Sequence, residues 1–232
     1  MRRTAIARIL GSVTAALGLT IGFTGQAAAI SHFEITHVDT VRCIGGYSET
    51  SAGSNGGGYS VSRTHGFNRL VSGACQVANQ PVGSLSSERH ILAFDMQKGV
   101  WWKCAGHGPA RNSVPAVAVE LYGNINRACG GDVWYATNTA AYGWDGGAWR
   151  GRWVVSGNHW VPRSGFAPTA PPPAPSISAA EAVRRGEVRL GSPTGPKANA
   201  AQLQAPPREA GSAPVTPQSV SDGTYAVRTI TR

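Results

Sequence analysis

From Phe33 to Val41 apolar and polar residues alternate, so that Phe33, Ile35, His37, Asp39 and Val41 fall on one face and Glu34, Thr36, Val38 and Thr40 on the other. A period of two is that of a β-strand, although the register here is imperfect. Further short β-branched or aromatic runs follow at Tyr59 to Val61, His90 to Phe94, Val100 to Lys103, Ala116 to Tyr122, Val133 to Ala136 and Trp149 to Val155, separated by Gly-rich turns. Six to eight strands are predicted. No stretch between Ile30 and Phe166 carries a convincing amphipathic helix, and closely spaced strands without helical crossovers indicate an all-β, antiparallel sandwich or barrel.

The pattern differs at both ends. Met1 to Arg8 is positively charged, Ile9 to Phe23 is apolar, and Ala27-Ala28-Ala29 is a small-residue cleavage site, which together read as a secretory signal peptide over residues 1–29. The apolar run of about fifteen residues is shorter than the roughly 20 that a spanning helix needs. No transmembrane segment is expected, and the mature chain is predicted to begin at Ile30 and to be secreted. Past Phe166 the aromatic and cysteine content collapses: all seven Trp, four Cys and six His lie before it, and eleven of the fifteen Pro after it. Residues 167–175 therefore read as a polyproline spacer and 167–232 as a Pro-rich disordered tail, short of apolar side chains to offset chain entropy. One short helix is predicted inside it, because Ser178-Ala179-Ala180-Glu181 has the capping-box pattern and Gly186 follows within two turns.

A secretory leader moves the chain to an oxidising compartment, where an even cysteine count reads as a disulfide framework. Cys43, Cys75, Cys104 and Cys129 can pair in three ways. Cys43 with Cys75 and Cys104 with Cys129 is favoured because each pair brackets a hairpin-sized segment. Cys104 and His107 have C-x-x-H spacing, but no second ligand pair accompanies them, so no metal site is expected. The chain has 21 Lys and Arg against 12 Asp and Glu. Removing Arg2, Arg3 and Arg8 leaves a net charge of about +6, which favours encounter with anionic wall polymers or acidic polysaccharide. Lys is represented only by Lys98, Lys103 and Lys197, and basic residues do not cluster among aromatics, so nucleic acid is not an expected partner. The Arg bias and the abundance of Ala and Gly suggest a bacterial coding sequence.

Candidate chemistry is concentrated between Trp134 and Trp160. Trp134, Tyr135, Tyr142, Trp144, Trp149, Trp153 and Trp160 lie there among glycines and polar residues. Flat rings beside planar hydrogen-bonding groups suit sugar rings, whose C–H faces stack while hydroxyls meet amides and guanidinium groups. Trp134, Trp149 and Trp153 are assigned to the core. Tyr142, Trp144 and Trp160, with Arg150, Arg152 and Asn158, are the predicted ligand residues of a monomeric, non-catalytic module that binds a glycan or anionic envelope polymer and needs no cofactor. His90 and Asp95 do not make a hydrolase pair, since positions five apart face opposite sides of a strand and no Gly-x-Ser-x-Gly elbow supplies a nucleophile.

Two alternatives use other residues. Arg42 followed by Tyr59-Ser60-Val61-Ser62, with Glu120 downstream, resembles the Arg, Ser-Thr-Ser strand and later Glu of secreted ADP-ribosyltransferase toxins. It departs from them at Val61 and at Ala118, two residues before Glu120. The resemblance implies Arg42, Ser60, Ser62 and Glu120 as site residues. The other alternative is a protease inhibitor with Ala105 to Val114, including Pro109 and Arg111, as its reactive loop.

Overall fold

The computed structural model describes residues 28–53, 57–163, 171–190 and 225–231. Most of the predicted signal peptide, residues 54–56 and 164–166 of the expected β domain, and residues 167–170, 191–224 and 232 of the expected tail lie outside them. Two antiparallel sheets face one another. The first is built from β1 (Ala28–Val38), β2 (Arg42–Ala52), β3 (Gly58–Arg69), β7 (Ala118–Asn124) and β12 (Tyr225–Ile230), in the order β1-β2-β3-β7-β12, with β4 (Cys75–Val77) beside β3. The second takes β10 (His159–Val161), β8 (Val133–Trp144), β5 (Leu85–Asp95), β6 (Val100–Arg111) and the parallel β11 (Arg189–Leu190), in that order. Strand β9 (Trp149–Val155) pairs with β8. The chain is thus an all-β sandwich. Strand β2 was not predicted: its Gly-, Ser- and Thr-rich sequence has no alternation of large apolar residues, yet it pairs along its whole length with both β1 and β3.

The space between the sheets explains β2. Much of it is filled by hydroxyls in place of hydrocarbon: Ser48, Thr50, Ser60, Ser62, Thr64, Thr137, Thr139 and Ser156 are all buried. Thr137 Oγ1 lies 2.7 Å from the Glu49 carbonyl, 2.8 Å from Thr50 Oγ1 and 2.7 Å from Ser60 Oγ. Ser48 donates to the Thr137 carbonyl at 2.6 Å, and Thr139 Oγ1 lies 2.8 Å from Ser62 Oγ. These bonds run from one sheet to the other, so the hydroxyls of this group have the partners that burial demands. Small residues permit the close approach: a Cβ on Gly46 would sit 2.5 Å from Val154 Cγ2 and 2.9 Å from Ala141 Cβ. Apolar clusters flank the hydroxyls, with Ile44, Leu85, Ala110, Val119 and Leu121 in one and Ile91, Ala93, Ile125, Tyr135 and Val161 in another.

The four cysteines form Cys43–Cys75 and Cys104–Cys129, the pairing that hairpin-sized spacing favours. The second bridge ties β6 to α1 (Ile125–Cys129), whose N-cap Asn124 accepts a hydrogen bond from the Arg127 amide.

Two pieces of the segment expected to be disordered are instead built onto the body. Helix α2 (Ala179–Arg184) has the predicted start, with Ser178 Oγ accepting from the Glu181 amide at 3.1 Å. Its Ala179 and Ala182 pack on Leu92, Phe94, Trp101 and Ala136, on the outer face of the second sheet, and Trp101 Nε1 donates to the Ile177 carbonyl. Strand β12 completes the first sheet beside β7, with Tyr225 and Val227 packed against the Ile44 and Leu85 cluster. Residues 171–175 of the expected spacer take no regular structure. Among the described residues no helix is long and apolar enough to cross a membrane.

Candidate functional site

The outer face of the second sheet is divided along its length. Even-numbered residues of β5 point outward, and pairing places Ser86 opposite Tyr142, Glu88 opposite Ala140, His90 opposite Asn138 and Leu92 opposite Ala136. Helix α2 covers the Leu92 end. At the other end an aromatic cluster of Ala140, Tyr142 and Trp149, with Trp144 and Trp153 around it, draws on β8 and β9. Trp144 meets Trp149 edge-on with ring centroids 5.6 Å apart, and the Arg111 guanidinium lies over the Trp149 ring at 5.2 Å.

Three titratable side chains lie between these ends. His90, only 1% exposed, places Nε2 2.6 Å from Glu88 Oε1 and 3.0 Å from Lys103 Nζ, and Trp153 covers its ring at a centroid distance of 4.6 Å. Burial holds the His90 pKa below its ordinary value, Lys103 acts in the same direction, and Glu88 opposes them. Burial likewise lowers that of Lys103, while burial and the charge of Glu88 push the Tyr142 hydroxyl up to about 12. A neutral imidazole cannot serve both neighbours through one nitrogen. With its proton on Nε2 it donates to Glu88, and without that proton it accepts from Lys103. Beside it His90 Nδ1, Asn138 Oδ1, Ser86 Oγ, Trp149 Nε1 and Trp153 Nε1 are buried without hydrogen-bond partners among the described residues. Unsatisfied buried polar atoms are uncommon, and their gathering on one face marks the place where the fold is least self-sufficient.

Of the predicted ligand residues, the structure brings Tyr142 and Trp144 together on this face. Trp160 stands at the far end, T-shaped against Trp134 at 6.0 Å. Asn158 Oδ1 accepts from the Ala179 amide and so anchors the start of α2. Arg150 and Arg152 point to the opposite face, paired with Asp145 at 2.7 Å and Glu34 at 2.9 Å. Asp95 binds the amides of Gln97 and Lys98 in its own turn, and is no partner of His90. Cys104 is consumed by its disulfide, and among the described residues no group of three or more His, Cys, Asp or Glu side chains could hold a metal ion. Sequence reasoning did not place Glu88, Lys103 or Asn138 among the ligand residues, and gave Arg111 to an inhibitor loop. Ser86, Glu88 and His90 at every second position of one strand was the available signal; the contributions of β6 and β8 depend on pairing that spans dozens of residues.

Neither alternative constellation is assembled. Ser60 and Ser62 point between the sheets, Glu120 points outward, and Arg42 is paired with Asp39 at 3.1 Å. Glu120 accepts from Arg63 Nε at 2.7 Å and lies 3.9 Å from Arg228. Ala105 to Arg111 forms the second half of β6 in place of a projecting loop, with Arg111 and Asn112 buried. Neither family models, curated proteins nor solved structures offer a match to the chain, so no relative bears on what the site does.

Proposed function

We propose that this chain is a secreted, non-catalytic module that binds a glycan, with anionic wall polysaccharide the class its positive charge suits, through the outer face of the second sheet. One observation carries the reading: a cluster of Tyr142, Trp144, Trp149 and Trp153 shares a sheet face with the partly exposed Glu88 and Lys103 and with buried polar atoms that lack partners among the described residues. Indole faces stack on the C–H faces of a sugar ring, and carboxylate, ammonium and amide groups meet its hydroxyls. The two disulfides fit an oxidising compartment. The roles of Arg150, Arg152, Asn158 and Trp160 pass to Glu88, Lys103, Asn138 and Trp153.

The test is retention on insoluble chitin, cellulose and peptidoglycan. Trp144 is half-buried at the end of β8, so Trp144→Ala removes stacking surface without opening the core. A stacking contribution of about 1 kcal/mol or more corresponds to a roughly five- to tenfold loss of affinity. Glu88→Gln should weaken binding while leaving Tm near that of the parent. Retention on none of these polymers, or equal retention of parent and Trp144→Ala, would refute the reading.

A further inference from the structure

Arg89 is a fully buried cation with no carboxylate beside it among the described residues. On the inner face of β5 its Nη1 donates to the Ser60 carbonyl at 3.1 Å, its Nη2 lies 2.9 Å from His107 Nδ1, and the Tyr225 ring of β12 covers the guanidinium at 5.6 Å. The Tyr225 ring also lies tilted against His107, with centroids 4.1 Å apart. The carboxylates of neighbouring strands are turned away: Glu88 faces outward to His90, and Glu120 faces outward to Arg63. Arg89 Nε and Ser87 Oγ, which point to the same side of β5, are both buried without hydrogen-bond partners among the described residues. A guanidinium has five N–H donors in a planar fork, and this one stays cationic at neutral pH even though burial lowers its pKa to about 10.

An uncompensated buried charge is costly unless it is paired, and a guanidinium edge matches the geometry of an oxyanion. A neutral His107 accepts from Arg89 and contributes no charge. Tyr225 lays its ring over the guanidinium. We infer that Arg89, with Ser87 and His107, holds a small oxyanion between the sheets, at the edge where β12 is the outermost strand. The site is separate from the glycan face, on the opposite side of the same sheet.

The experiment is ³¹P NMR of inorganic phosphate titrated with the full chain at constant ionic strength. Saturable line broadening with one site per chain is expected, weakened at least tenfold by Arg89→Gln and unchanged by Arg127→Gln, which removes an exposed guanidinium. Arg89→Lys keeps the charge and loses the fork, so it provides a second measurement should the Gln variant fail to fold, and it too should bind at least several-fold more weakly. No saturable broadening overturns the inference, as does a folded Arg89 variant that binds phosphate as tightly as the parent.

Discussion

A buried hydroxyl is cheap only in company. Thr137 serves both sheets at once, so Thr137→Val would leave the Thr50 and Ser60 hydroxyls and the Glu49 carbonyl short of a partner. Stranding such groups costs about 1–3 kcal/mol, and urea unfolding should show that loss with little change in slope. The same network explains what the sequence could not show. In β2 and β3 the inward positions are, apart from Ile44, Ser, Thr and Gly, so a rule that places polar residues outside assigns these faces backwards. His65 adds a pH-dependent term. Packed near Phe33 and Phe67, it has a pKa held down to about 4, first by burial and then by Arg63. Between that value and the ordinary 6.5 the unfolded chain binds a proton that the folded chain excludes. Stability is therefore full above pH 6.5 and falls on acidification, by at most about 1.4 kcal/mol per pH unit for one group. His65→Phe should flatten the decline measured from pH 6.5 to 4.5, and an unchanged slope would assign it to other groups, buried His90 among them.

At the scale of elements, α2 was legible because its start is written locally: Ser178 and Glu181 are three residues apart, and the observed cap uses that spacing. Strand β12 was not. Its six residues hold one aromatic, and nothing nearby announces that Tyr225 and Val227 find apolar surface on a strand about a hundred residues earlier. Composition predicts a removable tail, whereas the structure predicts a cost on removal. Complete burial of a large apolar side chain stabilises by roughly 1.5–3 kcal/mol, and both residues are partly buried, so together they contribute about 2 kcal/mol. Truncation after Leu190 should lower Tm by about 4–8 °C for a chain of this size. A truncated chain melting with the parent would mean that β12 contributes no stability where it lies.

At the scale of the whole molecule, strand character and cysteine pairing were legible because both are set by short-range pattern and spacing. The candidate face was not, because it joins β5, β6, β8 and β9 through registers that no local signal encodes. The disulfides matter most at this scale. Cys43–Cys75 spans 32 residues and holds β2 to β4 across β3, while Cys104–Cys129 spans 25 and joins a strand of the second sheet to the helix that follows β7 of the first. In the chain-entropy model each closes a loop worth about 3–4 kcal/mol. Both together approach or exceed half of a typical folding margin of about 5–15 kcal/mol. Because loop entropy changes slowly with length, Cys43→Ala/Cys75→Ala and Cys104→Ala/Cys129→Ala should destabilise by similar amounts, and the two effects should add. Melting followed by near-ultraviolet circular dichroism, with and without reductant, measures this directly. The expected result is a folded single-bridge variant of lowered Tm and a fully reduced chain that loses its Trp signal well below the parent's transition. A fully reduced chain, verified by complete thiol labelling, that melts with the parent would show that the hydroxyl-bonded sandwich holds without its bridges.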